Sequence, residues 1–165
     1  MRRKRSETHP AARTPQPSRR IHSEVPGKLP EQACCPGCGA SYRKGRWTWK
    51  TAPADAYEHT CPACERIASG LAAGVVRLEG AFARSESDEL IRLLRNIEER
   101  ERGEHPLKRI MDIATDDAGI AVTVTDPSLA ESFGRALRRA YEGRLEQAPK
   151  QSPEEGPVRI LWERD

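Results

Sequence analysis

The chain has no run of apolar residues near the roughly 18 needed to cross a bilayer. Its basic opening, residues 1–5, is not followed by an apolar stretch, so it does not read as a secretory signal. Nor does that arginine-rich opening show the amphipathic periodicity of a transit peptide. There is no phosphate-cradling glycine loop and no G-x-S-x-G. Histidine is scarce. His9 and His22 lie near the start, His59 beside a cysteine pair, and His105 before Pro106. Asp116 and Asp117 are adjacent in a turn, where acidic residues most often shape the turn itself. No catalytic constellation emerges, and the expectation is a soluble, cytoplasmic, non-enzymatic protein. Apolar residues are also sparse, at 36%, against 32% charged residues and 13 prolines. A chain so composed does not pack throughout its length.

What is present falls into three parts. Residues 1–33 carry eight basic and three acidic side chains, five prolines after Arg2, and no periodic apolar residues. They are expected to form a disordered basic tail. Residues 34–64 form a cysteine module with a side-chain charge of +2, and residues 65–165 carry −4. Positive charge is concentrated towards the beginning of the chain.

The cysteines number five, an odd count that does not close a disulfide framework. Four stand in two C-x-x-C pairs, Cys35-Pro36-Gly37-Cys38 and Cys61-Pro62-Ala63-Cys64. In such a pair the backbone turns tightly between two sulfurs. Two facing turns give a closed tetrahedral thiolate site that suits zinc, with no position left for catalysis. A four-cysteine zinc ribbon is therefore expected, with iron–sulfur as a distant second because four thiolates also suit iron. A redox dithiol pair is the remaining alternative. Gly39 follows the first turn where positive φ is wanted. Cys34 adjoins Cys35 but breaks the two-residue spacing, so it is expected to be spare. His59 is a ligand by type, but four cysteines already complete the shell.

Between the pairs, four of the chain's eight aromatic residues alternate with cations: Tyr42, Trp47, Trp49 and Tyr57. Arg43, Lys44, Arg46 and Lys50 can neutralise phosphates, and Trp47 or Trp49 can stack on unpaired bases. On one strand, Trp47 and Trp49 would share a face. The competing expectation is that at least one tryptophan covers the zinc site, because so short a module has little else to pack.

Residues 65–165 alternate between strand and helix periods. Val76 and Leu78 mark an inward face of a first strand at residues 75–79. Ser85 is placed to cap a helix with Asp88 three residues on, and Leu90, Leu93, Leu94 and Ile97 form its stripe. Residues 109–114 read as a strand with Met111 and Ile113 inward. Ile120, Val122 and Val124 alternate on the next. Asp126-Pro127 starts a second helix with Ala130, Phe133, Leu137, Ala140 and Tyr141 inward. A Pro/Gln/Glu-rich loop leads to a last strand with Val158, Ile160 and Trp162. The order β-α-β-β-α-β implies an α+β ferredoxin-like plait, an antiparallel sheet with two helices on one face.

Several strings carry a resemblance: Cys35-Pro36-Gly37-Cys38-Gly39, Gly45-Arg46-Trp47-Thr48-Trp49, Cys61-Pro62-Ala63-Cys64-Glu65-Arg66-Ile67, Gly80-Ala81-Phe82, Leu94-Arg95-Asn96-Ile97-Glu98, and Glu104-His105-Pro106-Leu107-Lys108-Arg109-Ile110-Met111. Together with Val124-Thr125-Asp126, these resemble a family of small bacterial zinc-ribbon proteins over residues 34–145. That family looks like the zinc-ribbon part of the archaeal and eukaryotic large-ribosomal-subunit export adaptor, the nonsense-mediated-decay-type protein. The adaptor has more than one cysteine-rich unit, and this chain has one. The resemblance implies association with the ribosome or ribosomal RNA, with an effect on ribosome stability or mRNA decay. A protein-interaction module and a transcription-type DNA-binding ribbon are the alternatives.

Overall fold

The computed structural model describes residues 32–148 and 156–165. Residues 1–31, most of the expected basic tail, lie outside the described residues. Ala33, assigned to that tail, instead opens the first strand and is fully buried.

Among the described residues the architecture is mixed α+β, with two sheets and four helices. No helix among the described residues is long and apolar enough to cross a membrane. The first sheet belongs to the cysteine module. It contains β1 (Ala33–Cys34), β2 (Ser41–Arg43), β3 (Arg46–Thr48) and β4 (Tyr57–Glu58) in the order β3-β2-β1-β4. Lys44 and Gly45, both at positive φ, form the two-residue turn between β2 and β3. This is the backbone that a right-twisted hairpin favours, with Gly45 meeting it without steric cost.

Among the described residues the second sheet holds five strands, β5 (Gly74–Glu79), β6 (Ile110–Asp116), β7 (Gly119–Val124), β8 (Arg144–Gln147) and β9 (Val158–Glu163), in the order β6-β7-β5-β9-β8. In β5 and β7, alternation sends Val76, Leu78, Ile120, Val122 and Val124 into the core. The helices α3 (Ser87–Glu104) and α4 (Pro127–Tyr141) cover that face with Leu90, Leu94, Ile97, Leu129, Ala130, Phe133 and Leu137. Asp126 caps α4 as its sequence position implies, accepting from the backbone N–H of Ser128 at 2.8 Å and of Leu129 at 3.3 Å.

Four details differ from the sequence expectation. Ser85 does not cap the long helix. It ends a separate short helix, α2 (Ala81–Ser85), and its hydroxyl donates to the Phe82 carbonyl. Met111 sits at a register shift between Ile110 and Asp112 in β6 (Ile110–Asp116), so Ile110 joins Ile113 against the core in its place. Ala140 is exposed at the end of α4, while Leu129 is buried.

The fourth difference is topological. The expected strands and helices are present as β5-α3-β6-β7-α4-β9, but β8 (Arg144–Gln147) was expected to be loop. It takes the sheet edge antiparallel to β9 (Val158–Glu163), which thereby returns parallel to β5. The sheet is mixed rather than wholly antiparallel, because this extra strand reverses the chain once more before it reaches β5.

Candidate metal centre

The first cysteine pair lies between β1 and β2. Cys35 accepts at its carbonyl from the Gly39 N–H at 2.8 Å, and donates its own N–H to the Ala40 carbonyl at 2.8 Å. Gly39 closes this knuckle with φ of 78°, the left-handed conformation its position suggested. The second pair is not a mirror image of the first. Cys61 is the N-cap of α1 (Pro62–Ser69), and Cys64 is in its first turn. Pro62 fits there because the first helical residues need no internal N–H partner. The site thus combines a knuckle with a helix N-terminus, whose positive dipole end favours thiolates.

The four sulfurs of Cys35, Cys38, Cys61 and Cys64 all lie within 4.8 Å of one another. Sulfurs about 2.3 Å from a common tetrahedral centre stand about 3.8 Å apart; Cys38 Sγ and Cys61 Sγ are 3.7 Å apart. The donor set and its spacing fit a four-coordinate soft-ligand metal site. The Cys61 N–H points at Cys35 Sγ at 3.3 Å, and the Cys64 N–H at Cys61 Sγ at 3.5 Å. Gly37 leaves the sulfurs room, since a Cβ there would stand 3.3 Å from Cys64 Sγ. Cys34 is outside the cluster, as its spacing implied.

The thiols are unlike one another. Burial opposes ionisation of Cys35, but N–H groups of Cys61, Gly37 and Cys38 outweigh it and bring the thiol down to about 7. Burial pushes Cys61 up to about 12. It also raises Cys64, against the pull of the Arg109 guanidinium. With Cys61 and Cys64 both raised, binding of a metal by these thiols would displace their protons.

Around the sulfurs, Ala40, Trp47 and Ala63 form a small core, joined by Tyr42 and Leu107. Trp47 is 8% exposed. Its ring tilts against Tyr42 at 5.6 Å and stacks on His59 at 6.4 Å, so His59 serves as its neighbour and is outside the sulfur cluster. Trp49 does not share a strand face with Trp47, because β3 ends at Thr48. It turns onto α3, where its indole N–H donates to the Arg102 carbonyl at 2.6 Å. The guanidinium groups of Arg102 and Arg109 stand 5.8 and 5.9 Å from its ring centre. Arg43 and Arg46 pair across the hairpin beside the Lys44 turn, and Lys44 and Arg46 are exposed while Arg43 is half-buried. Lys50 is exposed at the other end of the hairpin, its carbonyl accepting from the Ser41 hydroxyl at 2.6 Å.

Sequence reasoning missed Arg109 as a site residue. Its guanidinium donates towards Cys64 Sγ at 3.4 Å and Cys61 Sγ at 3.9 Å. No metal-ligand spacing points to a residue so far beyond Cys64. The loop before it is fastened by an ion pair, Lys108 Nζ to Glu101 Oε2 at 2.7 Å. The Lys108 hydrogen bond holds the Glu101 carboxyl below its usual range, despite partial burial. A carboxyl so depressed stabilises the fold at neutral pH, and that contribution disappears as pH falls through its folded-state pKa. Glu101→Gln is therefore expected to cost up to about 1 kcal/mol at pH 7 and nothing well below the carboxylate range, as checked by denaturant melts at both pH values.

Compared with known proteins, the chain matches no family model, no curated protein and no solved structure.

Proposed function

We propose that the protein is a non-enzymatic zinc protein whose cysteine module contacts the phosphates of structured RNA, in the cytoplasm and on the ribosome. The observation that carries this reading is the hairpin tip. Arg43, Lys44 and Arg46 are gathered there by the β2–β3 turn, and the cysteine cluster fixes the base of the same hairpin. Cations on a rigid, zinc-held loop suit the phosphate backbone. Stacking has a smaller place in this reading, because Trp47 is in the core and Trp49 lies on α3. Contact of this kind positions a protein on RNA more than it reads sequence. The resemblance to ribosome-associated zinc-ribbon proteins supports the choice of partner, and an effect on ribosome stability or mRNA decay follows from it. A protein partner is the second reading, favoured by Ile67 and Leu71, which are exposed at one helical turn's spacing on and just beyond α1.

Sedimentation of lysate through sucrose gradients tests the proposal. Co-migration with ribosomal particles at low salt is expected, weakening as salt rises. Replacing Arg43, Lys44 and Arg46 together by Ala should abolish it while zinc content stays unchanged. With purified RNA, the same variant should flatten the logarithmic salt dependence by about 2–3. Equal competition by DNA would redirect the proposal to a DNA-binding ribbon. Migration at the top of the gradient in every salt would leave the protein partner.

A further inference from the structure

Arg109 is 6% exposed, yet no carboxylate pairs with it among the described residues. A guanidinium removed from water needs compensating acceptors or an anion. Its Nε donates to the Pro106 carbonyl at 2.8 Å, and its two terminal nitrogens point at Cys64 Sγ and Cys61 Sγ. Four thiolates around a divalent ion carry a net charge of −2, and here two of those sulfurs are fully buried. The buried cation and the buried anionic cluster answer each other. We propose that Arg109 is an outer-sphere partner of the metal centre, and that it makes metal occupancy and docking of the cysteine module onto α3 and β6 a single event. The proposal deepens the zinc reading and rests on it.

The backbone of Arg109 is fixed independently of its side chain. Its N–H donates to the Thr125 hydroxyl, and its carbonyl accepts from the Thr125 N–H, both at 2.9 Å. The guanidinium therefore reaches the sulfurs from a rigid strand entrance. Two further contacts cross the same junction: the Trp49 indole on the Arg102 carbonyl, and Leu107 against the cysteine core. Metal-bound thiolates strengthen the Arg109 contact, and by reciprocity the docked Arg109 tightens the metal. Loss of the ion leaves a buried guanidinium facing thiols, and the junction loosens.

The full-length chain, zinc-loaded, is titrated against a chromophoric zinc chelator as wild type, Arg109→Lys and Arg109→Met. Hydrogen exchange at residues 102–109 is followed with and without zinc. All three proteins are expected to hold one zinc per chain. Arg109→Met should bind it about 10–100-fold more weakly. Arg109→Lys, which keeps the charge but not the planar fork, should fall between. Stripping zinc from the wild type should speed exchange at residues 102–109, and Arg109→Met should show that faster exchange with zinc bound. Equal affinities in wild type and Arg109→Met, equal losses in the Lys and Met variants, or exchange indifferent to zinc would each overturn the proposal. If Arg109→Met does not fold, Arg109→Lys against wild type decides it. A wild type without zinc would instead sink the metal reading beneath it.

Discussion

Purified Cys61→Ser protein is expected to contain far less than one zinc per chain and to lose ordered structure in residues 33–69. Cys61 is the residue on which the site turns. It caps α1, its N–H points at Cys35 Sγ, and its sulfur lies 3.7 Å from Cys38. A serine there caps the helix equally well, so any loss reports the metal ligand and not the cap. The module has only five fully buried or nearly buried apolar residues in its own core, two of them cysteines. Without the ion, that core is too small to offset the entropy of ordering the chain. Metal binding in comparable small zinc modules contributes apparent free energy on the order of 10–16 kcal/mol at neutral pH. The second core, around Phe133 and Trp162, shares no residue with the first. It should persist, giving a half-folded spectrum by NMR in place of global collapse. Cys34→Ser, outside the cluster, should keep its zinc. A Cys61→Ser protein with full metal content and unchanged spectra would sink the assignment.

Trp47→Ala is expected to be the most damaging single substitution of an aromatic residue in the module, costing about 3–5 kcal/mol. At 8% exposed, the ring has no free face for a base, since Tyr42 and His59 occupy its surroundings. Its removal opens a cavity beside Cys35 and Cys61, so zinc retention should fall along with the melting temperature. Trp47→Phe should recover much of both. A stacking residue behaves differently: its alanine variant binds RNA poorly while stability stays unchanged. Thermal melts and RNA titrations on the same three proteins separate the two. Intact stability in Trp47→Ala would contradict the placement of this ring.

The sequence made some of this plain because the relevant physics is local. C-x-x-C spacing picks out the four cysteines that cluster, and positive φ at Gly39 follows from the tight turn after the first pair. Alternation in residues 119–124 and the Asp126-Pro127 cap specify β7 and the start of α4 without outside help. The failures have equally physical causes. Cys61-Pro62 suits a turn or a helix start equally, and the residues after it decide weakly; Ile67 is an isolated apolar residue, too little for a helical stripe. Strand β8 offers one apolar residue, Leu145, amid Arg144, Glu146 and Gln147, because an edge strand is held by pairing with β9 and not by burial. The bulge at Met111 leaves no pattern in side-chain hydrophobicity. Trp49 and Arg109 were misjudged or missed for a shared reason: each acts across the junction between the two parts, where separation in sequence carries no information.

The position of β9 has a consequence for the order in which the molecule comes into being. This strand lies between β5 and β8, pairing Gly74 with Val158 and Glu79 with Glu163. It brings Ile160 and Trp162 into the main core from the far side of the chain. During synthesis the cysteine module can assemble as soon as α1 has emerged, since all four clustered cysteines are in hand by Cys64. The larger sheet cannot. Until β9 arrives, β5 keeps an open edge, and such edges invite pairing with other chains. So distant a pairing raises contact order and slows closure relative to helical neighbours. The nascent protein therefore passes through a stage in which a complete cysteine module precedes an unfinished sheet, which closes only when β9 follows the other strands described.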